Sequence, residues 1–544
     1  MATATAMATG TIMGYKATPT LVFLYCVLQL TNSFASGLKI TPALDLTHIY
    51  TDNLNVRNEA QLSDQITELK ANLNLRNQGA IVESNINYQL IRLEYADNST
   101  LSKTFDNYQG QVLFKLLENR LNTTLSASKR RQQSSLTNPS TLYSGTGQTD
   151  VIQYNIHNQL SSKLANYLDY SVNWYLGQTQ TDTVNHSEQT DFRDSDNQRL
   201  ALGINSGDFF TASYWLLYAN KTLIKHKRLL ENNISKQILT DFYAEMGREI
   251  FQDISILAQY YDEDYDVSNI QSPSLTSSSY GLGLRWQPSS RSYIKLAYNW
   301  SLDDLNSNYV SAKLNWQPSQ RTSLILSSSK RFFGNAYEAS FNHRHRRIST
   351  SIVYTESITN FQTSSLTPTT LGHFICPSTP DFTIDQCTFA AGQTPTIGSG
   401  EQLIPIDRLT PELSNRTYLN KQLSTNVSYQ FRKFNLLLSY RKNRRTNVDT
   451  NNRSIRESFL MTTSYRLNRH NRFNLGVNVE DTSMLSANNF LEDYQEKQYN
   501  LSYAHDFNST MSATFSVLHR NRDSNNTNND FNEDRVSLSL RKEF

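Results

Sequence analysis

The chain has 544 residues, with 51 Lys and Arg against 49 Asp and Glu and a formal net charge of +2. That balance indicates neither the basic footprint of a nucleic-acid binder nor a supercharged surface. No shift in composition divides the sequence into domains, and its only long apolar run is at the N-terminus, so no transmembrane helix is expected beyond that run.

Residues 1–35 read as a secretory signal. Lys16 supplies the positive charge, Leu21 to Leu30 the apolar core, and Ser33-Phe34-Ala35 a small-x-small site, with cleavage after Ala35. The run is too short for a membrane anchor. Cys26 lies within the apolar core, too early and among side chains too bulky for a lipoprotein site, and would leave with the signal.

From residue 36 onward, alternation of apolar and polar side chains recurs almost everywhere. Gly281 to Arg291 and Ser311 to Arg321 are two copies of one pattern: Leu282, Leu284 and Trp286, then Ala312, Leu314 and Trp316, alternate with polar residues and break at Gln-Pro-Ser. Leu423 to Phe431, Phe473 to Val479 and Met511 to Val517 alternate in the same way. A period of two with turn punctuation predicts antiparallel strands with one apolar and one wet face. Helical spacing is hard to find.

The predicted connections alternate as well. Short ones include Asn77-Gln78-Gly79, Asn205 to Asp208, the two Gln-Pro-Ser turns, Asn468 to Asn471 and Asp506 to Ser509. Long ones include Thr51 to Asp64, Gln132 to Gln148, Asp262 to Leu275, Thr359 to Leu413 and Asn521 to Asp530. Short turns on one rim and long loops on the other are the mark of an outer-membrane barrel, the short turns being periplasmic. The predicted fold is all-β: a transmembrane antiparallel up-and-down β-barrel over 36–544 with about 24 strands, two either way. The alternative is a soluble sandwich array or propeller. The last strand speaks against it: Val536, Leu538 and Leu540 alternate with Ser537, Ser539 and Arg541, and the chain stops on Phe544. A terminal aromatic in phase with an apolar face resembles the signal read by the barrel-insertion machinery, although Lys542 replaces the usual apolar residue.

Candidate sites follow from the two faces. Trp286 and Trp316 are expected in an interfacial aromatic girdle, marking the periplasmic edge of the bilayer, and Tyr280, Trp300, Tyr429 and Tyr503 are further aromatics near strand ends. The rival role for these rings is sugar stacking within the lumen. Arg285, Lys313, Asn315, Gln430, Asn474 and Asn478 are expected to face the lumen, where mixed polar groups suit water and hydrophilic solutes. The loop 359–413 carries Cys376 and Cys387, a candidate structural disulfide in an oxidising compartment, the alternative being two free thiols. Such a long loop folds inward as a constriction or outward as a cap. Arg441 to Arg445 is expected in an outer loop as a solvated cluster touching anionic surface polysaccharide, the alternative being a specific anion site. His343 and His345 sit in the basic run His343 to Arg347, whose plain reading is a cationic rim. No P-loop, dinucleotide fingerprint, His-Glu-x-x-His or Cys-x-x-Cys occurs, so neither an enzyme nor a cofactor nor a metal site is expected.

One family likeness is usable. Ile40 to Leu44, Tyr50 to Leu54 and Asp64 to Leu69 near the start resemble the outer-membrane proteins associated with the PEP-CTERM/exosortase system. So do Trp316 to Thr322, Lys330 to Tyr337 and His343 to Arg347. The resemblance implies an outer-membrane barrel encoded at exopolysaccharide loci, with no established reaction and no catalytic residues to carry over. The expectation is then a polar-lumen barrel assisting export or surface assembly of exopolysaccharide or a related hydrophilic solute. Its partners would be outer-membrane lipid and lipopolysaccharide, the insertion machinery, the polymer and export-system proteins, and no nucleic acid. The alternatives are a plugged structural or assembly barrel holding surface partners, or a sheath around an electron-transfer partner.

Overall fold

The structure is a computed structural model and describes residues 37–58, 61–133, 142–144, 148–164, 166–182, 194–227, 234–268, 275–303, 307–359, 366–377, 388–390, 401–411, 418–447, 452–485 and 490–544. The signal segment 1–35 and its cleavage site lie outside them.

Twenty-four strands form one antiparallel sheet in which each strand pairs with the next strand of that sheet along the chain. The sheet closes on itself where β1 (Leu38–Thr51) pairs with the last strand, β27 (Phe531–Glu543), Leu46 opposite Leu540. Closure leaves no unpaired edge, which is what a sheet needs inside a hydrocarbon layer. The barrel thus has the predicted class and strand number.

Alternation decides the two faces. On β12 (Leu275–Ser289), Leu282 and Leu284 are 54% and 56% exposed, while Ser277, Ser279 and Gly281, of the opposite parity, are buried. Across the ladder, Ile256, Leu284 and Leu296 stand in one row, all on the outside. A continuous apolar outer belt on a closed barrel is the face that meets lipid.

The two repeated hairpins differ in one detail from the expected tight turn. β12 and β14 (Tyr309–Ser319) run on past their Trp residues, and the register slips between Trp286 and Ser289 and again between Trp316 and Ser319. The Gln-Pro pair makes a bulge, because proline has no N–H to give to a ladder, and the chain reverses only at Ser290-Arg291 and Gln320-Arg321.

Two expected loops are strand instead. Asp262 to Ser268 continues β11 (Ile254–Ser268), and Arg441 to Arg445 lies within β22 (Phe434–Asn447). The backbone ladder does not depend on side-chain polarity. Neighbouring strands supply partners, Asp262 for Phe242 and Arg441 for Ser458, so pairing persists beyond the apolar belt. The long-loop rim also holds one tight connection. β15 (Thr322–Arg331) returns as β16 (Gly334–His345) through Phe332-Phe333 alone, with Gly334 at a φ of 104°, a conformation other residues rarely adopt. Between β17 (Ile348–Thr359) and β21 (Tyr418–Gln430), the described part of the long segment is a small separate sheet of β18 (Leu366–Pro377), β19 (Thr388–Ala390) and β20 (Glu401–Pro411).

Candidate functional site in the barrel lumen

One arc of the inner wall combines tyrosines with charge. It runs from β7 (Leu168–Asp182) and β8 (Ser195–Ser206) through β9 (Ser213–Lys227), β10 (Ile234–Phe251), β11 and β12 to β13 (Ser292–Ser301) and β14. Cross-strand register places Tyr218, Tyr243 and Tyr261 in one row, with Asn220, Asp241 and Glu263 in the next. Tyr175, Tyr214, Tyr293 and Tyr309 share this inner face.

The rings are held by hydrogen bonds along the wall. Lys295 Nζ donates to Tyr243 Oη at 2.8 Å and pairs with Glu245 at 2.6 Å, and Tyr214 Oη donates to Glu245 at 2.9 Å. Glu245 is nearly inaccessible at 5% side-chain exposure, so a carboxylate there requires this cation and these hydroxyls. Farther along, Arg199 Nε donates to Asn220 at 2.8 Å, and Asn220 donates to Asp241 at 2.7 Å. Gly247 makes room for a ring lying flat: a methyl group at 247 would stand 2.6 Å from Tyr214 Cζ.

Another arc of the wall is different. Ile49, Ile66, Ile91, Leu93, Tyr95 and Phe105 pack with Leu54, from the connection that follows β1, into an apolar cluster, with Leu62, Leu142 and Tyr143 against it. Ile49, Ile66 and Tyr95 occupy consecutive inner-face positions on β1, β2 (Asp64–Gln78) and β3 (Val82–Tyr95). Connection residues therefore fold inward and cover this part of the wall. Asn53 Nδ2 fastens them, donating to Arg57 O at 2.7 Å and Asn532 O at 2.8 Å. Burial, with Glu68 next in effect, raises the Tyr143 phenol above its ordinary pKa, so it stays neutral. Beside this cluster Arg520 and Arg522 both reach Glu496 at 2.8 Å, and Arg520 also reaches Glu533 at 3.3 Å.

The sequence-derived candidates distribute as follows. Trp286 and Trp316 are half-exposed on the outer face beside the short turns. At the other rim Tyr280 and Trp300 stack on the outside with centroids 5.4 Å apart. Arg285, Lys313 and Asn315 are on the inner face, with Lys313 opposite Lys295 and Asn315 opposite Tyr293. Asn474 donates to Ser502 at 3.1 Å on the inner wall, and Asn478 stands between Leu460 and Gln498. Gln430 ends β21 at the short-turn rim, its N–H donating to Arg347 O at 2.8 Å. Phe544 is exposed, its N–H donating to Pro42 O at 3.0 Å. Cys376 lies in β18, and Cys387 lies outside the described residues. The expected outer-loop run instead turns Arg441, Asn443 and Arg445 inward and Lys442 and Arg444 outward.

What sequence reading missed is the inner tyrosine wall. The signal was present: in Asp241-Phe242-Tyr243-Ala244-Glu245 the ring of Tyr243 shares its parity with two carboxylates.

No family model and no curated protein matches the chain. Among solved structures, the barrel is similar to the siderophore receptor PirA from Acinetobacter baumannii (9% identity, 93% of this chain and 80% of that one, TM-score 0.41). It is also similar to the FrpB iron transporter from Neisseria meningitidis (10% identity, 95% and 83%, TM-score 0.43). A third is the alcaligin outer-membrane receptor FauA from Bordetella pertussis (12% identity, 93% and 76%, TM-score 0.37). The likeness is one of barrel fold.

Proposed function

We propose that this chain is an integral outer-membrane barrel whose lumen conducts a hydrophilic, sugar-type polymer, an exopolysaccharide, between periplasm and cell surface. The observation that carries this reading is the tyrosine wall of β9 to β14. Sugar rings have apolar C–H faces and a rim of hydroxyls. A wall that presents flat phenol rings beside amides, carboxylates and ammonium groups meets both needs through many weak, exchangeable contacts. The mechanism is passive: no bond is made or broken, and the wall substitutes for part of the polymer's hydration shell. The resemblance to proteins of PEP-CTERM/exosortase exopolysaccharide loci points the same way.

The test is planar-bilayer conductance of the purified barrel with a neutral hexasaccharide added to one side. The expected result is an open-pore current interrupted by sugar-dependent blocks. Tyr243→Ala and Tyr218→Ala shorten them. Absence of current, also after removal of 360–417, refutes the conduit.

A second reading, a plugged assembly barrel holding surface partners, has its own support in the inward-folded residues Leu54, Leu62 and Tyr143. Surface proteins mislocalised in a deletion strain that still exports polymer would establish it.

A further inference from the structure

Across three neighbouring strands the inner wall places three cations side by side. Arg285 on β12 is directly opposite Lys295 on β13, and Lys295 is directly opposite Lys313 on β14. Like charges in directly opposed positions repel, so a row of three costs stability unless something else answers it. One carboxylate does: Glu245 pairs with Lys295 at 2.6 Å. Arg285 and Lys313, flanking that pair, have no carboxylate within ion-pair distance among the described residues.

Arg285 is also held in an unusual way. Its guanidinium carbon lies 4.7 Å from the ring centroid of Tyr214 and 4.4 Å from that of Tyr293. The guanidinium also hydrogen-bonds the Tyr214 hydroxyl, while its Nε is buried without a hydrogen-bond partner. A planar cation lying against two rings, with one donor still unpartnered and no carboxylate beside it among the described residues, suits a planar anion such as a carboxylate. Lys313, exposed to the lumen two strands away, supplies a second point charge about 10 Å along the wall. The tyrosines give this anion site a platform for the ring that carries it.

We propose that Arg285 and Lys313, with Tyr214 and Tyr293, form a binding step in the lumen for acidic sugar residues, that is, for the carboxylate of a uronic acid within the polymer. The inference rests on the conduit reading for its biological setting, but the site stands on its own geometry and is measured without conduction.

The experiment is titration calorimetry of the full barrel in detergent, with hexagalacturonate as acidic probe, maltohexaose as neutral control and inorganic phosphate as free anion. Hexagalacturonate is expected to bind at least about tenfold more tightly than either, and Arg285→Gln with Lys313→Gln to remove about ten- to a hundredfold of that affinity, the value of charge-assisted hydrogen bonds. Arg285→Lys, which keeps the charge but loses the stacked fork, is expected to fall between. Lys313 is exposed, so Lys313→Gln alone tests the site in a barrel whose packing is unchanged, and a severalfold loss is expected. Equal affinities for acidic and neutral hexasaccharide, or an unaltered affinity in the double variant, overturn the proposal. Phosphate binding as tight as hexagalacturonate overturns the sugar part of it. A barrel that conducts nothing yet binds hexagalacturonate through these residues refutes the conduit and leaves the site standing.

Discussion

Arg331 Nε donates to both carboxylate oxygens of Glu263, at 3.1 and 3.2 Å, and so ties the tight β15–β16 hairpin to β11, four strands away along the wall. Beside this pair Phe332 stacks on Tyr265, with ring centroids 5.4 Å apart and planes within 5°. Glu263 has no accessible surface. Arg331→Ala leaves that carboxylate buried and unpaired, and the expected loss is about 3–5 kcal/mol, read as a lowered unfolding midpoint in a heat-modifiability gel. Replacing both partners together, Arg331→Met with Glu263→Gln, is expected to recover most of it. Equal midpoints for Arg331→Ala and the parent would show that the pair contributes nothing.

A second expectation concerns the inner wall. Gly247→Ala places a methyl group against Tyr214 and forces the ring off the wall. The overpacking is expected to cost about 1–3 kcal/mol. It also disturbs the ring on which Arg285 lies, so hexagalacturonate affinity drops in the same variant although residue 247 carries no functional group.

The outer belt makes a depth-dependent prediction. Arg at Leu284, within the apolar row, is expected to cost about 2–4 kcal/mol of barrel stability in lipid, whereas Arg at Trp286 or Trp316, near the short turns, costs about 0–1. Equilibrium folding into vesicles measures both. Lipids brominated at graded depths add a direct readout: Trp286 and Trp316 are quenched most by shallow bromines if they sit at the interface.

Phe544 is expected to act during insertion more than in the finished barrel, since its side chain is exposed and its N–H is the group that engages another strand among the described residues. Phe544→Ser lowers the amount of heat-modifiable barrel in outer membranes while leaving the unfolding midpoint of the purified fraction unchanged. A parallel drop in both quantities would argue for a structural role instead.

Cys376 and Cys387 are expected to form a bridge. Maleimide labels the purified mature protein only after reductant is added. Labelling without reductant means two free thiols.

Much of this architecture is legible in a single strand at a time. Alternation in Gly281 to Trp286 states that Leu282 and Leu284 share one face and Gly281, Gly283 and Arg285 the other, because side chains in a strand point to opposite sides with a period of two. The same rule placed Asn474 and Asn478 inside and the two Trp outside. It was misleading where polarity stood in for structure. Arg441 to Arg445 and Asp262 to Ser268 look like loops by composition, yet their backbones keep pairing because adjacent strands continue to supply donors and acceptors.

Tertiary structure alone decided who meets whom. Parity says that Tyr214, Arg285 and Tyr293 belong to the inner face, but not that one guanidinium lies against both rings. That depends on strand stagger and wall curvature, which bring β9 and β12 within side-chain reach across two intervening strands. The same holds for Arg331 and Glu263, 68 residues apart. The sequence by itself determined a barrel with a wet interior and a greasy belt, because those follow from local periodicity. The grouping of charge, ring and inward-folded connection into sites followed only from closure, because closure sets distances that no local pattern encodes.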